Sequence, residues 1–250
     1  MGVLGIESAI AILIVLICVP LLFYALSRVR AGKRPQLRTL PVFDRLARMG
    51  SRATESGRTL HVGLGMGGIS GPDTAVSAAG LEVLEYLADQ AAAGESRLVV
   101  TVAEPTLLPA TQEVLRRAYA QRGKSDVFSP AQVRLLAPDP TAYAAGVMGI
   151  LEVEDPLANV TVGAFGDEYL LIGETGVKKG VEQVAGTDDP AALAFMYATA
   201  DGTLIGEEIF AVGAYLKERA EAIAGLMVQD WLRYLVIVAI IAGVLWQTLV

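Results

Sequence analysis

Residues 59–75 read TLHVGLGMGGISGPDTA, and the fold turns on how this stretch is read. A strand-like start runs into glycines, and Gly63, Gly65 and Gly68 fit G-x-G-x-x-G, the spacing that seats a dinucleotide pyrophosphate on a helix N-terminus. Two departures count against a dinucleotide. The helix that should open inside the motif is held back beyond Gly71-Pro72, with Asp73 as its expected N-cap. The acid expected about 20 residues on is also displaced, because the one ending the next strand is Glu104, thirty-six residues after Gly68. No Lys-Ser/Thr follows, which excludes a P-loop. Three readings stay open: a dinucleotide site, a loop for another small ligand or anion, and a structural turn.

Outward from this stretch, strand and helix alternate. Residues 73–94 predict a helix closed by Gly94, RLVVTVA (97–103) a buried strand, 106–123 a helix closed by Gly123, QVRLLA (132–137) a strand, and 140–154 a third helix. That order implies parallel strands joined by right-handed crossovers. Beyond Pro156 the texture changes. NVTVGAFG (159–166) and EYLLIGE (168–174) read as two strands around a Gly166-Asp167 turn, GVKKGVEQVAG (176–186) as a short helix, and ALAFMYATA (192–200) as a strand. Residues 204–228 read as a long helix, and no proline interrupts 203–250. The fold class predicted is α/β, a Rossmann-like three-layer domain with a mostly parallel sheet. TVAEPTLL (101–108) and YATADGTLI (197–205), with HVGLG (61–65) and TVGAF (161–165), outline a faint internal repeat. Duplication and chance similarity of strand-to-helix junctions both fit it.

Hydrophobic residues make up 53% of the chain and mean hydropathy is +0.49, so membrane spans are sought first. Residues 9–26 are an uncharged run of eighteen, and 234–250 are uncharged too, with Trp231 and Tyr234 placed as interfacial aromatics. A cleaved signal peptide would want a basic start, which MGVLGIESA lacks. Arg28, Arg30, Lys33, Arg34 and Arg38 follow the first run, while only Glu7 precedes it. The positive-inside rule then puts the middle of the chain in the cytoplasm and both termini outside, as a two-span protein of a bacterial inner membrane. Residues 28–58 carry net +7 and 59–250 carry net −13. The basic segment suits membrane lipids of an anionic inner leaflet, and the acidic remainder excludes a nucleic-acid footprint. Residues 40–49 have helical apolar spacing that fits either a helix on the membrane surface or one packed on the domain. GSRATESGR (50–58) reads as a linker. The layout expected is a span in 1–27, a basic segment and linker in 28–58, an α/β domain in 59–229 and a span in 230–250.

Glu104 and Asp201 are expected just beyond strand carboxyl ends, where open α/β sheets place their crevices. Thr106 and Thr203 lie two residues later. Capping would explain the same residue types. With Gly63, Gly65, Gly67 and Gly68 these four make the candidate ligand set. His61, the only histidine, is read as a strand side chain, against general-base service. Cys18, the only cysteine, lies in the first apolar run. No Ser-His-Asp, CxxC or HExxH pattern exists, so no catalytic set, metal or cofactor is expected.

The stretches RTLHVGLGMGGISGPDTA, GLEVLEYLA and VVTVAEPTLLPATQEVLRRAY, over about residues 58–230, resemble an uncharacterised family of bacterial membrane-anchored proteins, a domain of unknown function with a Gly-rich loop between flanking transmembrane helices. The resemblance implies this architecture and no activity. Two functions fit. One is a self-associating scaffold, suggested by helical glycines such as Gly146, Gly149 and Gly213. The other is a tethered sensor binding a nucleotide or small anion at Gly63–Gly68. An enzyme fits less well.

Overall fold

The computed structural model describes residues 6–94 and 96–249. Residues 1–5 and Val250, the extreme ends of the predicted spans, lie outside the described residues, as does Glu95. In chain order the elements are α1 (Ile6–Arg30), α2 (Pro41–Ser56), β1 (Leu60–Gly65), α3 (Thr74–Ala93), β2 (Leu98–Val102), α4 (Leu107–Gln121), β3 (Val133–Leu135), α5 (Pro140–Val153), β4 (Ala158–Ala164), α6 (Tyr169–Lys179), β5 (Glu182–Thr187), α7 (Pro190–Thr199), β6 (Gly202–Ile205), α8 (Val212–Tyr215) and α9 (Ala220–Leu249). They fall into two compact units, residues 39–212 and the terminal segments up to Arg38 and from Gly213.

The larger unit is α/β. Its six strands form one all-parallel sheet in the order β3-β2-β1-β4-β5-β6. β1 and β2 are buried along their whole length, as strands covered by helices on both faces must be. On one side α3 packs against α4, β1 and β4, and α2 lies against α3 and β6. On the other, α5, α6 and α7 bury Tyr143, Val147, Leu151, Tyr169, Ile172 and Met196 against Ala103 and Ala185. Both α5 and α7 start at an Asp-Pro pair. The Asp139 and Asp189 carboxylates accept the N–H of Ala142 and Ala191, each at 2.8 Å, and a proline at the first position has no N–H to leave unsatisfied.

The first three strands and their helices stand where the sequence places them. In the second half only NVTVGAFG does, as β4. Residues 168–174, predicted as a strand, start helix α6, because Tyr169, Ile172, Gly173 and Gly176 fall on one helical face and are buried. GVKKGVEQVAG holds the end of α6 and strand β5, and ALAFMYATA is helix α7. The long helix predicted from residue 204 is strand β6, a 3₁₀ turn over Gly206–Ala211 and the four-residue α8. Only from Ala220 does one helix run on through Gln229, Asp230 and Trp231. YATADGTLI is a helix end leading into β6, whereas TVAEPTLL is a strand end leading into α4, so these two segments are not equivalent. HVGLG and TVGAF both lie on strands, β1 and β4, but two residues out of register, Gly63 standing opposite Thr161 rather than Gly163. GSRATESGR is no linker up to Ser56: α2 continues through it and ends at Gly57 in the left-handed region, φ 65°. α2 turns Val42, Phe43, Leu46, Met49 and Ala53 into the domain, which decides between its two readings.

In the terminal unit α1 and α9 pair antiparallel. Ala25 and Val29 pack with Ala214, Ile223, Ala224 and Val228, and the Tyr24 and Trp231 rings lie 5.9 Å apart. Two helical stretches, Ile12–Arg30 and Ala220–Thr248, are long and apolar enough to cross a membrane.

Candidate functional site

In a doubly wound sheet the crevice opens beyond the strand carboxyl ends where the strand order reverses, here between β1 and β4. Gly65 makes the turn there at φ 74°, and a Cβ on it would run into the Ala164 carbonyl. Its polar groups are occupied. The Gly65 N–H donates to Tyr143 Oη at 3.3 Å, the Ala103 N–H donates to its carbonyl at 3.2 Å, and the Met66 N–H donates to Ala164 O at 2.8 Å. Next in the loop, Gly67 lies against Ser77 Oγ, a fully buried hydroxyl with no partner among the described residues. A Cβ on Gly68 would stand 2.7 Å from Glu104 Cγ and 2.8 Å from Thr106 Oγ1. Thr106 Oγ1 accepts the Ile69 N–H at 3.4 Å. The structure therefore brings Gly65, Gly67, Gly68, Glu104 and Thr106 together.

Three predicted residues lie elsewhere. Gly63 is inside β1, where its missing side chain leaves room for Thr161 and the Tyr143 hydroxyl. Asp201 precedes β6 rather than following a strand, so it sits at the opposite sheet edge and accepts the Gln183 N–H at 2.9 Å. Thr203, inside β6, donates to Met196 O. Both were misplaced because α7 was read as a strand.

The charge of the crevice is one-sided. The segments following the six strands (66–73, 103–106, 136–139, 165–168, 188–189 and 206–208) contain Asp73, Glu104, Asp139, Asp167, Glu168, Asp188, Asp189, Glu207 and Glu208, with no lysine or arginine. Several fill positions an anion would otherwise take. Besides the two helix caps, both Glu168 oxygens accept the Gly166 N–H, at 2.9 and 3.0 Å. α3 starts with no side-chain cap, Asp73 included. No cluster of three metal-ligating side chains occurs among the described residues. A free polyanion meets repulsion here. Hydroxyl donors, or phosphate carrying its own cation, meet acceptors.

His61 is fully buried, with Nδ1 at 2.7 Å from Asn159 Oδ1 and Nε2 at 3.0 Å from Thr101 Oγ1. Burial holds its pKa down to about 4, against the Asn159 hydrogen bond and with help from Arg134, so it is neutral at pH 7. Thr101, Tyr143, Asn159 and Gln183 complete a buried polar row that sequence reading missed. Its one signal was a polar residue at the same register of neighbouring strands, His61 opposite Asn159 and Asn159 opposite Gln183.

An all-parallel sheet in this order, with a glycine turn at its reversal, defines the doubly wound α/β class of the dinucleotide-binding topology. Within it, the chain belongs to the family DUF6754, a domain of unknown function, which it matches over residues 3–250. No curated protein and no solved structure matches it.

Proposed function

We propose that the protein is a scaffold anchored in a bacterial inner membrane by two spans, whose cytoplasmic α/β domain associates with further copies through the α5–α7 layer. The observation that carries this reading is the outer surface of that layer. α7 has no charged residue and α5 has only Glu152, yet Val153 is 83% and Tyr197 75% exposed, and Leu170, Leu171 and Val177 on α6 are exposed as well. Between them α6 carries one exposed ion pair, Lys178 with Glu174, and the opposite layer displays Glu113 paired with both Arg116 and Arg117. Large apolar side chains exposed together on one layer suit an interaction site. Of the basic residues at and just beyond the end of α1, Arg30 pairs with Glu221 at 3.0 Å and Arg34 with Glu218 at 2.9 Å. Arg28 and Lys33 are exposed and suit anionic lipid headgroups. Light scattering of the full chain in detergent tests the reading. We expect an oligomer that the pair Val153→Lys and Tyr197→Asp reduces to monomer, and a strictly monomeric wild type would sink it.

One observation favours a second reading, a tethered sensor. Glu104 stands at the end of β2, where the dinucleotide-binding topology places its ribose-binding acid, beside the glycine loop and an unpartnered serine. The acidic crevice selects nucleosides or magnesium-bound nucleotides over free anions. Such ligands should raise the melting temperature, Gly65→Val should abolish the rise, and no shift with a nucleotide panel at millimolar concentration counts against it.

A further inference from the structure

Five buried side chains run in a line under the sheet, from helices α6 and α7 to the glycine turn. At one end Gln183 Nε2 donates to Gly173 O on α6 at 2.9 Å and to Thr199 O at the end of α7 at 3.1 Å. Gly176 leaves room for the carboxamide. Carbonyls only accept, so the carboxamide has one orientation and its oxygen faces Asn159. Gln183 Oε1 accepts from Asn159 Nδ2 at 3.0 Å, which turns Asn159 Oδ1 toward His61 Nδ1. His61 is then the neutral Nδ1–H tautomer, and its bare Nε2 accepts the Thr101 hydroxyl proton. With that proton committed, Thr101 Oγ1 accepts from Tyr143 Oη at 2.9 Å, nearer than the other acceptor of that hydroxyl, the Thr101 carbonyl at 3.4 Å. The Tyr143 oxygen is left to accept the Gly65 N–H. The reverse assignment would press Gln183 Oε1 against two carbonyl oxygens, so the backbone carbonyls at the Gln183 end set the protons from there to Tyr143.

We propose that Gln183, Asn159, His61, Thr101 and Tyr143 form a polarised hydrogen-bond relay through which the α6–α7 layer dictates the hydrogen-bonding state of the glycine turn. The relay is high-stakes in the sense that applies to buried polar networks generally: each side chain is hydrogen-bonded to the next, and a break leaves an unpaired group in low dielectric. It has a direction. Disturbing the Gln183 end releases every proton downstream, whereas disturbing Tyr143 frees Gly65 and leaves the rest pinned. Any contact that shifts the ends of α6 or α7 is therefore felt at Gly65. This holds whether or not α5–α7 is an assembly face.

His61 is the chain's single histidine, so nitrogen NMR of the ¹⁵N-histidine-labelled full chain in detergent reads one ring. We expect a protonated Nδ1 and a bare Nε2 in the wild type, the reverse of the tautomer imidazole prefers in water. Gln183→Leu should shift the ring toward Nε2–H. Tyr143→Phe should leave the tautomer unchanged while Gly65 amide exchange accelerates tenfold or more. A wild-type Nε2–H ring overturns the proposal without reference to any variant. A folded Gln183→Leu protein that keeps the wild-type tautomer, or Gly65 exchange unmoved by Tyr143→Phe, overturns it as well.

Discussion

At Gly65 a left-handed backbone and a carbonyl in the path of any Cβ act together. A non-glycine residue held at such φ costs roughly 1–3 kcal/mol, before the clash with Ala164 O is relieved. Gly65→Ala should therefore lower stability by at least about 2 kcal/mol in a denaturant titration. A loss under half that would mean the turn relaxes freely. His61 gives a second expectation at this scale. The unfolded chain takes up its proton near pH 6.5 and the folded chain only near 4, so between those values the unfolded state binds more protons. The stability that neutral His61 contributes is complete above pH 6.5, falls as pH drops toward 4, and is lost by roughly 3 kcal/mol across the window. The stability gap between wild type and His61→Leu should narrow by that amount from pH 7 to pH 4. A gap independent of pH would contradict the buried, neutral ring. Of the candidate site, the sequence showed the glycines and Glu104, because spacing and strand ends are local features. Asn159, Gln183 and Tyr143 stayed hidden, because what joins them is the pairing of strands distant in sequence.

Among the elements, α2 shows which force holds a helix on the domain. Glu182 accepts from Arg45 at 3.1 Å and from Arg52 at 2.6 Å, but Arg52 is more than half exposed. Such pairs contribute about 1 kcal/mol or less. Leu46 is fully buried, and removing a buried leucine side chain costs about 2–5 kcal/mol. Thermal denaturation should therefore show Leu46→Ala well below Glu182→Gln. The reverse ranking would mean that ion pairs hold α2. The region from α6 to β6 was misread for physical reasons. The buried Gln183 made β5 look polar and helical, and the apolar run of α7 looked like a strand. The cue at Asp189-Pro190 matched the one at Asp139-Pro140 that marks α5. The helical spacing Tyr169, Ile172, Gly173, Gly176 was legible too, but two of its four members are glycines and carry little apolar signal. The first half was read correctly because its strands are continuous apolar runs and its helices end at Gly94 and Gly123.

For the whole molecule, the division into an α/β unit and a two-helix terminal unit follows from where apolar residues fall along the chain. Each helix of the terminal unit exposes large apolar side chains along its outer length, which a bilayer would cover. Cys18 lies on α1 in that unit, so removing it frees the domain for a designed cysteine. The central claim is that α/β domains meet through the α5–α7 layer. Oxidative crosslinking in native membranes, with Tyr197→Cys on α7 compared with Arg117→Cys on α4, each in a Cys18→Ser background, tests it most directly. The account predicts a disulfide-linked dimer for the α7 variant and little for the α4 variant. Equal crosslinking at the two positions, or none at Tyr197→Cys, would contradict it.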